Sequence, residues 1–208
     1  MPIQEIVAII DRSGSMHGKE EDTIGGINTT IEELKTSENS DEINFSLKFF
    51  NEKEEMKIRS KNITEIRPLQ SSELRPYGST ALLDAIGNTI NYFTQKKLQD
   101  EDSFEQCLIY VATDGYENAS KYFNKNSLKQ IIQNAETSYN IKVMYLGANQ
   151  DAIFEASQIG IPIERAINFN ENRESSQNVY RAVATSAQRS MTGYNAEFSQ
   201  SERLESTL

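Results

Sequence analysis

Ile6-Val7-Ala8-Ile9-Ile10-Asp11-Arg12-Ser13-Gly14-Ser15 decides how the rest of this chain is read. The apolar run from Ile6 to Ile10 predicts a strand. It ends at an aspartate, and Asp11, Ser13 and Ser15 then follow at alternate positions. An extended loop with that spacing can aim all three side chains at one point. Each offers a hard oxygen, and none offers nitrogen or sulfur, which suits Mg²⁺, Mn²⁺ or Ca²⁺ better than zinc or copper. Serine and glycine are ordinary turn residues, so the loop by itself says little. Two further stretches strengthen it. Gly78-Ser79-Thr80-Ala81-Leu82 supplies a threonine hydroxyl, and Ala112-Thr113-Asp114-Gly115 supplies a second carboxylate at the end of another apolar strand.

Outward from that stretch, apolar runs alternate with helical patterns, the signature of an α/β layered fold. Strands are expected near residues 3–10, 43–50, 54–59, 108–113, 141–146 and 166–169, and helices near 20–35, 79–96, 127–139, 152–158 and 175–189. In the first helix Ile24, Ile27, Ile31 and Leu34 recur at helical spacing. Gly25 and Gly26 lie within it, where they weaken it and are expected to allow close packing against the sheet. The charged segment 54–59 suits a sheet edge that must avoid pairing with other chains. Ser79 or Thr80 is placed to cap the helix that follows. Residues 1–190 read as one domain, with 191–208 a polar, loose tail. The fold class is therefore α/β: a Rossmann-like, doubly wound, mostly parallel sheet with one antiparallel edge strand and helices on both faces.

Composition narrows the function. The chain has 208 residues and a formal charge of -10. Such acidity is a poor match to nucleic acid or an anionic membrane surface, and it favours a bound divalent cation that relieves carboxylate repulsion. One cysteine, Cys107, lies in an apolar strand, so no intrachain disulfide forms and a buried structural thiol is expected. No apolar run approaches the ~18 residues that span a bilayer. The first residues lack the basic and apolar regions of a secretory signal, so a cytoplasmic location is expected.

In a doubly wound sheet, ligands bind beyond the carboxyl ends of the strands where the strand order reverses. The strands ending at Asp11 and near Asp114 are expected to be neighbours at that point, with Thr80 at the start of the preceding helix. Asp-x-Ser-x-Ser, then Thr, then Asp, in this order, resembles the metal-ion-dependent adhesion site of von Willebrand factor A domains. The resemblance extends over roughly residues 3–170 and includes Thr80-Ala81-Leu82-Leu83-Asp84-Ala85-Ile86 and Asp114-Gly115. It implies that Ser13 and Ser15 bind the metal directly and Asp11 largely through water. It implies that Thr80 and Asp114 bind directly or through water, as the site changes state. The short chain looks more like free-standing microbial or phage members than adhesive ectodomains. The implied function is a non-enzymatic protein-binding module. Mg²⁺, with Mn²⁺ or Ca²⁺ as alternatives, would accept an Asp or Glu of a protein partner at an open position.

Other residues are weighed against simpler roles. His17, the one histidine, stands in a polar loop and is either solvated or part of the binding rim. Asp84, one turn after Thr80, is a hydrogen-bond acceptor near the site or a helix-start carboxylate. Tyr116 and Glu117 form either a partner-facing rim or an ordinary loop. A metal-assisted hydrolase of the phosphatase kind is the alternative from another class. Ser13 stands where such enzymes want a second aspartate, and no general base can be placed. A scaffold whose metal does not bridge is the third reading.

Overall fold

The computed structural model describes residues 3–148 and 151–208. A six-stranded sheet runs in the order β3-β2-β1-β4-β5-β6. Its strands are β1 (Gln4–Asp11), β2 (Ile43–Phe50), β3 (Glu54–Asn62), β4 (Gln106–Thr113), β5 (Ile141–Ala148) and β6 (Ala166–Phe169). All neighbours pair in parallel except β2 and β3, which are antiparallel. The helices are α1 (Glu20–Lys35), α2 (Leu82–Gln99), α3 (Lys125–Tyr139), α4 (Ala152–Gln158), α5 (Arg173–Met191) and α6 (Gln200–Glu205). Among the described residues, no helix is long and apolar enough to cross a membrane.

Strand periodicity sorts β1 between two cores. Ile6, Ala8 and Ile10 join Phe45, Leu47, Tyr110, Val179 and Val183 on one face, which α1 and α5 cover. Val7 and Ile9 join Ile86, Phe93, Ile109, Val111, Leu128 and Ile132 on the other, beneath α2 and α3. Both faces of β1 and β4 are thus dry, and apolar burial of this kind stabilises at roughly 25 cal/mol per Å². Cys107, near the start of β4, is fully buried, and burial pushes its thiol well above the ordinary range. The register pairs Ile10 with Ala112 and sets Asp11 beside Phe50, so β1 and β4 end at the same level. The strand order reverses between them, because the chain crosses from β2 and β3 on one side to β5 and β6 on the other.

Three local differences from the expected elements have physical causes. Helix α2 begins at Leu82 rather than at Ser79. The N–H groups of Ser79, Thr80 and Ala81 bond to Glu52 (2.8 Å), Asn118 (2.9 Å) and the Asn51 carbonyl (3.2 Å), which tie the segment to the loops after β2 and β4, and Ala81 (φ -95°, ψ 63°) is not helical. Gly26 packs not on the sheet but on the ring of Tyr180 in α5. Residues 191–208, expected to be a loose polar tail, carry buried Ala196, Phe198 and Ser206. Helix α6 starts with a capping box at Ser199 and Glu202, and Arg189 reaches Glu202 Oε1 at 2.8 Å. Two apolar side chains and a bidentate ion pair give this segment something to dock with.

Candidate metal centre

The residues at the carboxyl ends of β1 and β4 form one connected set of oxygens. Asp11 is the last residue of β1 and is fully buried. Its Oδ1 accepts the Ser13 N–H at 2.7 Å, a local contact that turns the chain out of the strand. Its Oδ2 accepts the Thr113 hydroxyl at 2.6 Å from the neighbouring strand. Ser13 and Ser15 hydroxyls lie 3.1 Å apart, and Ser15 donates to Asp114 Oδ1 at 2.6 Å. The two carboxylates, far apart in sequence, are therefore linked through the Ser13 N–H and the Ser13 and Ser15 hydroxyls.

Thr80 reaches the same place by a different route. Gly14 N–H donates to the Gly78 carbonyl at 3.0 Å, and Tyr77 N–H donates to the Arg12 carbonyl at 2.9 Å. These bonds zip the Thr80 loop against the Asp11 loop. Gly78 has φ +78°, a left-handed conformation that glycine adopts without strain. A Cβ placed on Gly115 would lie 3.4 Å from Thr80 Oγ1 and 3.5 Å from Ser15 Oγ, so both hydroxyls face one bare stretch of backbone. The Thr80 carbonyl then accepts Asn118 N–H at 3.0 Å and Ala119 N–H at 3.1 Å, which anchors the loop after Asp114.

The electrostatics suit a cation. Burial holds the Asp11 carboxyl above its ordinary range, hydrogen bonds from Thr113 and Ser13 oppose this, and repulsion from Asp114 adds to it. Asp114 Oδ2 is paired with the Lys19 ammonium, which also reaches Glu171. Burial acts to lower the Lys19 pKa, but these two carboxylates outweigh it and raise it. Every donor in the cluster is oxygen, the set that Mg²⁺, Mn²⁺ and Ca²⁺ accept. The residues present fit such an ion.

The remaining candidates take other places. Asp84 stands in the first turn of α2 and accepts the N–H groups of Lys121 (2.8 Å), Tyr122 (3.0 Å) and Phe123 (3.0 Å). It braces a loop and does not join the oxygen cluster. Glu117 also turns inward: Oε2 accepts Leu83 N–H at 3.0 Å and Oε1 accepts Ser120 N–H at 2.7 Å, so it caps α2 from a distance. His17 is solvated, with Nδ1 3.1 Å from Glu20 Oε1. Tyr116 is 62% exposed and Tyr77 45% exposed, on the loops that carry Asp114 and Thr80.

Sequence reasoning missed Lys19, Thr113, Glu171, Asn51 and Asn118. Thr113 left a trace, as a polar residue closing an otherwise apolar strand. Lys19 left none, because its partners lie 95 and 152 residues away.

A doubly wound α/β domain that gathers hydroxyls and two carboxylates at its switch point places them where such folds bind their ligands. The chain belongs to the von Willebrand factor type A domain family, whose sequence model matches residues 5–191. No curated relative matches it. Among solved structures, the von Willebrand factor domain of the type V pili tip protein Mfa5 from Porphyromonas gingivalis is similar. The TM-score is 0.69 at 11% identity, over 92% of this chain and 96% of that one. The pilus adhesin SpaC from Lactobacillus rhamnosus GG has a TM-score of 0.70 at 11% identity, over 91% of this chain and 31% of that one. Proximal thread matrix protein 1 from the mussel byssus, described with a zinc-occupied MIDAS motif, gives 0.61 at 14%, over 90% and 46%. This chain thus spans about a third of that adhesin and about half of the byssus protein. At these identities the likeness is one of fold.

Proposed function

We propose that this chain is a protein-binding module whose Asp11, Ser13, Ser15, Thr80 and Asp114 hold a divalent cation, Mg²⁺ in the first instance. The observation that carries the reading is the continuous hydrogen-bonded path from Asp11 through the Ser13 N–H and the Ser13 and Ser15 hydroxyls to Asp114, with Thr80 facing the same backbone. Family membership supports it, as does the zinc-occupied motif described for the byssus protein. When bound, the ion supplies a Lewis-acidic position that an Asp or Glu of a partner can fill.

The chain's own residues do the rest. The buried Asp11, held by Thr113 and the Ser13 N–H, fixes the floor of the site and cannot swing out. Ser13 and Ser15 lie on a short turn directly above it. Tyr77 and Tyr116 stand exposed beside the centre and offer flat amphipathic surface to the residues flanking a partner's acid. Without the cation the Asp11 and Asp114 carboxylates lie buried, with Asp114 paired to Lys19, and offer a partner's acid nothing to bind. Neither His17, which points to solvent, nor Cys107, which is sealed in β4, is placed to act on a ligand at the cluster.

The test is capture from source-cell lysate in MgCl₂, in EDTA, and with Asp11→Ala in MgCl₂. A partner retained only by the wild type in Mg²⁺ supports the reading. Equal retention in all three arms sinks it.

A further inference from the structure

Lys19 is the residue just before α1, and its ammonium bridges Asp114 Oδ2 and Glu171. Asp114 is almost fully buried, and both its oxygens are engaged: Oδ1 by Ser15, Oδ2 by Lys19. The protein therefore places a positive charge of its own on a carboxylate of the candidate centre. Glu171 lies between β6 and α5, so the bridge joins the metal-facing rim to the far side of the sheet's carboxyl edge. Beneath it lies a cavity of about 140 Å³ lined by Met16, Asp22, Asp114, Glu171 and Tyr180. The ammonium thus has room, and a second carboxylate within reach, if it leaves Asp114.

We propose that Lys19 is a built-in counter-cation that competes with the divalent ion for Asp114 and sets the affinity of the site. This inference rests on the metal-binding reading above. In the absence of the ion the ammonium offsets the Asp11–Asp114 repulsion and keeps the rim assembled. In its presence the ammonium repels it across one carboxylate, or withdraws to Glu171. A divalent ion held by the same carboxylate would stand on the order of 5–6 Å from the ammonium. Even with the dielectric constant of water, a single and a double charge at that distance correspond to roughly tenfold in affinity. The site is thereby tuned to load and unload rather than to hold its ion permanently.

Calorimetric titration with MgCl₂ tests this on the wild type, Lys19→Met, Lys19→Gln, Lys19→Arg and Asp11→Ala. Lys19→Met and Lys19→Gln remove the charge and are expected to bind Mg²⁺ about tenfold more tightly. The glutamine variant covers a failure of the methionine variant to fold. Lys19→Arg keeps the charge and stays within about threefold of the wild type. Melting without metal adds a second readout: the uncharged variants melt below the wild type, and gain more from Mg²⁺. Wild-type binding that Asp11→Ala abolishes, with unchanged or weaker binding by both uncharged variants, overturns the Lys19 inference and leaves the metal reading standing. Absence of Mg²⁺ binding in the wild type and in both uncharged variants overturns the two together.

Discussion

Gly25 and Gly26 are neighbours on α1, yet alanine should act on them with opposite sign. A Cβ on Gly26 would sit 2.1 Å from Tyr180 Cδ2, 2.5 Å from Cε2 and 2.8 Å from Cγ. Ordinary carbon contacts lie at about 3.5–4.0 Å, so the ring must retreat by roughly 1 Å or more. It has little room, because Tyr180 is buried and stands edge-on to the buried Tyr110, centroids 6.1 Å apart. Overpacking of this kind costs about 1–3 kcal/mol, and the better helix propensity of alanine returns roughly 0.8–1 kcal/mol. With the contact this short we take the upper range, a net loss of about 2 kcal/mol. For a chain of this size that lowers Tm by roughly 4–8 °C. A Cβ on Gly25 meets nothing within 4 Å, so Gly25→Ala keeps the propensity gain and raises Tm by roughly 2 °C. Paired urea and thermal unfolding of the two variants reads both signs. If Gly26→Ala is as stable as the wild type, or both variants shift the same way, the packing of α1 on α5 is not as described.

Asp84→Ala leaves three backbone N–H groups of the 121–123 loop without their acceptor, and should cost about 2–3 kcal/mol in urea unfolding. A loss below about 0.5 kcal/mol would mean that water replaces the brace. Burial alone would raise the Glu202 carboxyl, but the Arg189 guanidinium and the Ser199 N–H outweigh it and hold it below its ordinary range. Its folded pKa therefore lies below its unfolded one. The stabilisation it gives is present above the unfolded value and is lost as pH falls through the folded value. The wild type should melt above Glu202→Gln at pH 7, and the difference should vanish in acid; a gap that persists or widens as the carboxyl protonates contradicts the sign.

Much of the architecture was legible because it rests on local pattern. The run Ile6–Ile10 and the strand ending at Thr113 are apolar on both faces, as central parallel strands must be, and each is followed by or ends in the aspartate that marks the switch point. What escaped was set by contacts remote in sequence. Ser79 to Ala81 have a good helix-start composition, but Glu52, Asn51 and Asn118 tie them to the loops after β2 and β4. For Glu117 the sequence leaves a partner-facing rim and an ordinary loop both open, because nothing nearby shows that Leu83 N–H needs an acceptor. The tail was read as loose because Ala196 and Phe198 are isolated among polar residues; only the surface left open beside α5 turns them inward.

Cys107 gives the molecule an internal clock. It is the one thiol in the chain, sealed on the face of β4 that α2 and α3 cover, with Glu5 and Ile141 as its neighbours in register. A soluble disulfide reagent can reach it only after the α2 and α3 layer has opened from that face of the sheet. Where reclosing outpaces labelling, the rate of modification measures the equilibrium population of that open form, and where labelling is faster it measures the opening rate itself. The interior of this domain can thus be timed in its native buffer, with no denaturant and no engineered probe.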